Sequence, residues 1–179
     1  MLEGKVVVVT GAANGIGRAA AIALAAQGAR VVVNDLNVSL DGNSASQSTA
    51  TQVAEEIRAA GGEAIANGDS VAEYASAQRI IEAATDTYGR VDAVVNNAGI
   101  VRDKMFHKLT PEDFDAVVKV HLYGCFNLSH AAARHFREQG GGSLINMTSN
   151  SAVIGNRGQA NYCAAKLGIV GLSKAMALD

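Results

Sequence analysis

Short apolar runs alternate with long alanine-rich stretches along the whole chain. "KVVVVT" (5–10), "ARVVVND" (29–35), "EAIAN" (63–67), "DAVVNNAG" (92–99) and "GSLINMTS" (142–149) read as five strands. They are apolar at nearly every position rather than at alternate ones, which predicts strands covered on both faces. Between and after them, residues 15–27, 48–60, 72–88, 110–139 and 159–178 carry helical spacing. Five repeats of strand then helix predict an α/β fold, a Rossmann-like doubly wound parallel sheet, in a single domain over residues 1–179.

Punctuation supports these bounds. Thr110-Pro111-Glu112-Asp113 offers an N-cap, a proline at the first helical position and acids in the first turn. Gly28 and Gly61-Gly62 stop the helices before them. "NVSLDGNSASQSTA" (37–50) reads as a polar surface insertion after the second strand. Within the 110–139 helix, Phe114, Val117, Val118, His121, Cys125 and Leu128 recur on one face, which places His121 among core residues.

Charge and composition narrow the function. Fifteen basic side chains stand against 17 acidic ones, for a net charge of −2, with no block of like charge to track nucleic acid. The apolar runs fall short of the ~20 residues of a membrane span, and the first strand starts too early for a signal peptide. Cys125 and Cys163 make no metal or redox spacing and read as free thiols. A cytoplasmic protein with no metal, no nucleic acid and no membrane partner is the expectation.

The first strand runs into "TGAANGIG", with glycines at 11, 15 and 17. Such a turn brings backbone N–H groups and a helix N-terminus against a pyrophosphate, although alone it is equally a tight strand-to-helix connection. Asp35 ends the second strand near the ~20-residue spacing of an acid that binds the adenosine ribose. A carboxylate there accepts from both ribose hydroxyls and repels a 2′-phosphate. Asn14, Asn34 and Leu36 supply no positive charge for such a phosphate, so NAD is favoured over NADP.

Tyr162 and Lys166 are four residues apart on one helical face, and Ser149 lies upstream at the carboxyl end of the fifth strand, where open parallel sheets bind ligands. A phenol of reference pKa about 10 becomes a neutral-pH acid/base through a shift worth about 4 kcal/mol. An ammonium ~5 Å away supplies roughly 3 kcal/mol of that at an effective dielectric of 20. Tyr162 would take an alcohol proton as hydride leaves for the cofactor, with Ser149 holding the substrate oxygen.

"TGAANGIG", "NNAG" (96–99), Ser149 and Tyr162-x-x-x-Lys166 together resemble the short-chain dehydrogenase/reductase family over essentially the whole chain. The resemblance implies that Gly11, Asn14, Gly15, Ile16 and Gly17 hold the cofactor pyrophosphate side. It implies that Asn97, Ala98 and Gly99 shape the pocket, that Asp69 with Ser70 meets the adenine, and that Lys166 acts on both the phenolate and the nicotinamide ribose. The family usually has asparagine at position 121, where a local helix distortion positions a water linked to the lysine, so His121 is a departure at a proton-relay position. "VVVNDL", "DSV", "NNAGIVRDKMF", "VHLYG" and "GQANYCAAKLG" are similar to the hydroxyacyl-CoA dehydrogenase unit of peroxisomal multifunctional enzymes of type 2, a branch that also carries histidine here. That branch implies a 3-hydroxyacyl-CoA substrate. Family members continue with further strands, a loop on the nicotinamide and a substrate lid, which this sequence lacks. They commonly pair through the long helices here at 110–139 and 159–178, so a homodimer or homotetramer is expected. The alternatives are an NADP-dependent 3-ketoacyl-carrier-protein or other carbonyl reductase, and a non-catalytic nucleotide-binding or oligomerisation module.

Overall fold

The computed structural model describes residues 1–37 and 49–179. Five parallel strands, β1 (Val6–Thr10), β2 (Arg30–Asn34), β3 (Glu63–Asn67), β4 (Ala93–Asn96) and β5 (Ser143–Asn146), lie in the order β3-β2-β1-β4-β5. β1 is central: Val8 faces Val32 on one side and Val94 on the other. Among the described residues, seven α-helices accompany them, α1 (Gly15–Ala26), α2 (Ala50–Ala59), α3 (Tyr74–Tyr88), α4 (Pro111–Val118), α5 (Gly124–Gln139), α6 (Ser151–Ile154) and α7 (Ala160–Met176).

The doubly wound arrangement follows from the pleat. Successive strand residues point to opposite faces. Val7 and Val9 therefore join Val31, Val33, Ala21, Ala25, Val53 and Ile57 in a core under α1 and α2. Val6 and Val8 join Ile80, Ile81, Ala84, Val94, Leu128 and Ala132 under α3 and α5. A strand that must feed two cores can be apolar throughout, which is why the period-2 signal was absent from the sequence.

Differences from the sequence reading sit at element ends and in one helix. The strands expected at 92–99 and 142–149 contract to four residues each, because the chain after Asn96 turns inward: the Asn97 N–H reaches the Thr10 hydroxyl at 3.1 Å. The helix expected over 110–139 is divided by a wide π turn at Lys119–Tyr123, with His121 at its centre. The extra residue shifts the phase of the apolar stripe. Upstream of the turn the buried positions are Asp113 and Val117, whereas Phe114, expected inside, is 41% exposed. Val117, His121, Cys125 and Leu128 are buried as expected. The Thr110 cap holds, its hydroxyl accepting from the Asp113 N–H at 3.2 Å. A 3₁₀ turn at Phe106–Lys108 and the short helix α6 had no counterpart in the sequence reading.

Most of the surface insertion expected at 37–50 lies outside the described residues. Where the chain resumes, Thr49 and Gln52 form a reciprocal capping box that starts α2. No helix among the described residues is long and apolar enough to cross a membrane.

Candidate active site

The carboxyl ends of β1 and β4 meet where the strand order reverses, the position at which open α/β sheets bind ligands. From Thr10 the chain enters the glycine loop. Gly11 has φ +62° and Gly15 φ +53°, a region that costs other residues strain. A Cβ on Gly17 would stand 2.2 Å from the Gly11 carbonyl oxygen, so the start of α1 packs directly on the loop. A Cβ on Gly15 would meet no protein atom within 4 Å, and Ile16 is 67% exposed. The loop is thus closed toward the sheet at Gly17 and open at Gly15, where α1 begins, and a helix N-terminus is where anions bind. A dinucleotide pyrophosphate fits that geometry.

Thr10 joins this loop to the end of β4. Its hydroxyl, 1% exposed, accepts from the N–H groups of Asn97 (3.1 Å) and Ala98 (3.0 Å) and donates to the Val95 carbonyl (3.3 Å). The Asn97 amide donates to the carbonyls of Thr10 (3.0 Å) and Gly11 (3.2 Å). "NNAG" therefore positions the glycine loop as well as walling the pocket. The sequence reading missed Thr10, although a lone polar residue closing an all-valine strand was a signal for it.

Asp35 follows directly on β2. Its two oxygens accept from the N–H groups of Ala13 (3.0 Å) and Asn37 (2.8 Å). The carboxylate is locked beside the glycine loop, and each oxygen keeps a lone pair for a ribose hydroxyl. Asp69 follows β3. Arg79 of α3 grips its Oδ1 through Nε at 2.8 Å, and Asn67 Nδ2 donates to its Oδ2 at 3.0 Å. The neighbouring Ser70 hydroxyl accepts from the Ala72 N–H. Asp69 does not cap α3, whose cap position is Glu73.

The structure brings three of the expected reaction residues together. Lys166 Nζ lies 5.7 Å from the centre of the Tyr162 ring, and the His121 ring meets Tyr162 edge to face at 5.2 Å. Ser149 sits in the loop between β5 and α6, where its hydroxyl accepts from the Ser151 N–H at 3.2 Å. Lys166 is 4% exposed and donates to the Met147 carbonyl at 2.6 Å, which leaves two N–H groups for other partners. Burial lowers its pKa to about 8.

His121 fills the wide turn. Its Nε2 lies 2.9 Å from the Ile100 carbonyl oxygen and 3.2 Å from the Ile100 nitrogen, while its buried Nδ1 has no hydrogen-bond partner. A Cβ on Gly99 would stand 2.3 Å from the ring, so the last residue of "NNAG" is small where the imidazole packs. Burial, helped by the Lys166 charge, lowers the His121 pKa to about 4. The ring is neutral at physiological pH and too weakly basic to serve as the general base. His121, Lys166, Cys125, Thr10 and Asn96 line a small cavity behind the tyrosine. Cys125 and Cys163 are free, and burial pushes the Cys125 thiol up to about 11, which leaves it unreactive.

Comparison with known proteins agrees with this geometry. The family model for short chain dehydrogenases matches residues 5–179. The chain is 52% identical to the short-chain type dehydrogenase/reductase Rv0148 of Mycobacterium tuberculosis, covering 99% of this chain and 62% of that protein. It is 47% identical to mouse peroxisomal multifunctional enzyme type 2, over 99% of this chain and 24% of that one. A crystal structure of a short chain dehydrogenase from Mycobacterium avium superposes with a TM-score of 0.91 at 48% identity, covering 99% of this chain and 63% of that one. The chain thus spans about three-fifths of the length of the nearest-sized of these relatives. With a nucleotide-type glycine loop, a Tyr–Lys pair at the sheet's carboxyl edge and matches along its whole length, the chain belongs to the short-chain dehydrogenase/reductase family.

Proposed function

We propose that the chain is the nucleotide-binding and catalytic core of an NAD-dependent dehydrogenase that interconverts a secondary alcohol and its ketone, the substrate being a 3-hydroxyacyl thioester of coenzyme A. The observation that carries this reading is the placement of Tyr162 between Lys166 and His121 at the carboxyl end of the sheet. A nicotinamide cofactor supplies the hydride acceptor or donor. The glycine loop and the first turn of α1 would hold its pyrophosphate, Asp35 its adenosine ribose, Asp69 and Ser70 its adenine, and Asn97, Ala98 and Gly99 its nicotinamide side. The Asp35 carboxylate favours NAD, because a 2′-phosphate would meet a negative charge already fixed by two backbone N–H groups.

Tyr162 removes the hydroxyl proton in oxidation and returns it in reduction. Ser149 holds the substrate oxygen, and the Lys166 ammonium stabilises the phenolate. His121 is neutral and tied to Ile100; it supports the tyrosine rather than replacing it. The substrate assignment rests on the likeness of "NNAGIVRDKMF" and "VHLYG" to the hydroxyacyl-CoA dehydrogenase unit of the type 2 multifunctional enzymes. The reading extends to self-association through α4, α5 and α7, which carry the exposed apolar side chains Phe114, Phe126 and Leu167.

The test is an absorbance assay of NAD⁺ reduction by the full-length protein against 3-hydroxyacyl-CoA and simple secondary alcohols, with NADP⁺ in parallel. Tyr162→Phe should lower turnover by about 10²–10⁴-fold and leave NADH affinity within about twofold. Retained turnover would remove the tyrosine from its role. Silence across the panel with NADH still bound would favour a non-catalytic module, and preference for NADP⁺ would favour a carbonyl reductase.

A further inference from the structure

Asn161 precedes the reactive tyrosine and is 0% exposed. A buried carboxamide must satisfy both ends, and this one does so with main-chain groups of three separate elements. Its Oδ1 accepts from the Tyr162 N–H at 2.8 Å, in the first turn of α7, where no helical carbonyl is available for that group. Its Nδ2 donates to the carbonyls of Arg102 at 3.1 Å and Asp113 at 3.3 Å. Arg102 lies in the segment after "NNAG", and Asp113 in the first turn of α4.

The same segment is fastened to the start of α7 at neighbouring points. The Lys104 N–H donates to the Gly158 carbonyl at 2.9 Å, and Gln159 Nε2 to Asp103 Oδ2 at 2.8 Å. Lys104 Nζ in turn reaches Asp113 Oδ2 at 2.6 Å. Residues 102–104, the N-terminus of α7 and α4 thus form one strap, and Asn161 is its fully buried member, bonded to all three.

We infer that Asn161 is a positioning residue for the reaction: by tying the Tyr162 main chain to residues 102–104 and to α4, it sets where the phenol stands relative to Lys166. Lys166 is held from the other side, by Met147 at the end of β5. The tyrosine and its ammonium are therefore anchored to different parts of the molecule, and their separation depends on the strap as well as on the helix they share. A shift of about 1 Å at a reacting group can cost roughly 100-fold in rate. The inference rests on the assignment of Tyr162 as proton carrier.

The test is Asn161→Ala in the full-length protein, followed by NADH binding, thermal midpoint, and kcat and KM for oxidation. With NADH binding within about twofold of wild type, kcat should fall about tenfold. KM should stay within about twofold, because the strap places the reacting phenol and not the bound substrate. A lower thermal midpoint accompanied by an unchanged kcat, or by a fall in kcat matched by a loss of substrate affinity, would overturn the inference and leave Asn161 a core residue. If Asn161→Ala fails to bind NADH, Gln159→Ala loosens the same strap from a partly exposed position. It should lower kcat about threefold with KM unchanged; a wild-type kcat there overturns the inference equally. Tyr162→Phe run alongside keeps the two claims separate, because only its retained turnover speaks against the proton carrier itself.

Discussion

At the scale of single residues, His121 shows how burial decides a chemical role. In sequence it is the most conspicuous ionisable group on an apolar face. In the structure its Nε2 is tied to Ile100, its ring packs on Gly99 and Tyr162, and its pKa falls from 6.5 to about 4. The sign of the linkage follows. Between pH 6.5 and 4 the unfolded chain takes up a proton that the folded chain refuses, so stability falls as pH falls through that window and levels off below it. The loss amounts to about 3 kcal/mol. Denaturant titrations of His121→Asn should show that part of the acid sensitivity gone, with turnover near wild type; an unchanged pH dependence would mean that the imidazole is not the group refusing the proton.

At the scale of elements, the glycine loop is fixed by a contact that cannot yield. Gly17→Ala would place a methyl group 2.2 Å from the Gly11 carbonyl oxygen, a backbone atom with no rotamer to escape into. Overpacking of this kind costs about 1–3 kcal/mol and more where backbone must move. NADH binding should fall by at least about tenfold, measured by fluorescence titration, and an alanine variant with wild-type affinity would argue against direct packing of α1 on the loop. Such elements were legible in the sequence wherever a local pattern defined them. The valine runs, the glycine spacing and the Thr110-Pro111 cap each carry their signal within a few residues. The wide turn at Lys119–Tyr123 did not, because a one-residue change of phase leaves Val117, Cys125 and Leu128 at acceptable helical spacing, while exposed Phe114 and partly buried Val118 depart from it. Arg79 on Asp69, Thr10 under Asn97 and Asn161 on Arg102 were illegible for another reason. Each joins residues of different segments, and no periodicity encodes which polar group meets which.

At the scale of the whole molecule, strand order turns scattered motifs into one site. With β1 central and β4 beside it, loops that are far apart along the chain converge, and α7 brings Tyr162 and Lys166 to the same edge. Phe126 is 43% and Leu167 51% exposed on α5 and α7. If these helices bury their outer faces in self-association, Phe126→Asp and Leu167→Asp together should reduce the mass seen by light scattering toward that of one chain. A mass unchanged by both substitutions would place any contact on another face.

The wide turn has a last consequence, and it is genetic. In a regular helix, deleting one codon rotates everything downstream by about 100° and empties the core of its apolar face. Here one residue is already in excess between two helical segments that pack independently, Val117 on one side of the turn, Leu128 and Ala132 on the other. Removing a single codon within 119–123 should therefore restore an ordinary helix and leave both segments in phase. It would yield a folded protein in which the bulge beside Tyr162 is missing. Few helices permit so direct an edit, and its effect on turnover, set against circular dichroism of the same protein, would separate what the bulge contributes to folding from what it contributes to the reaction.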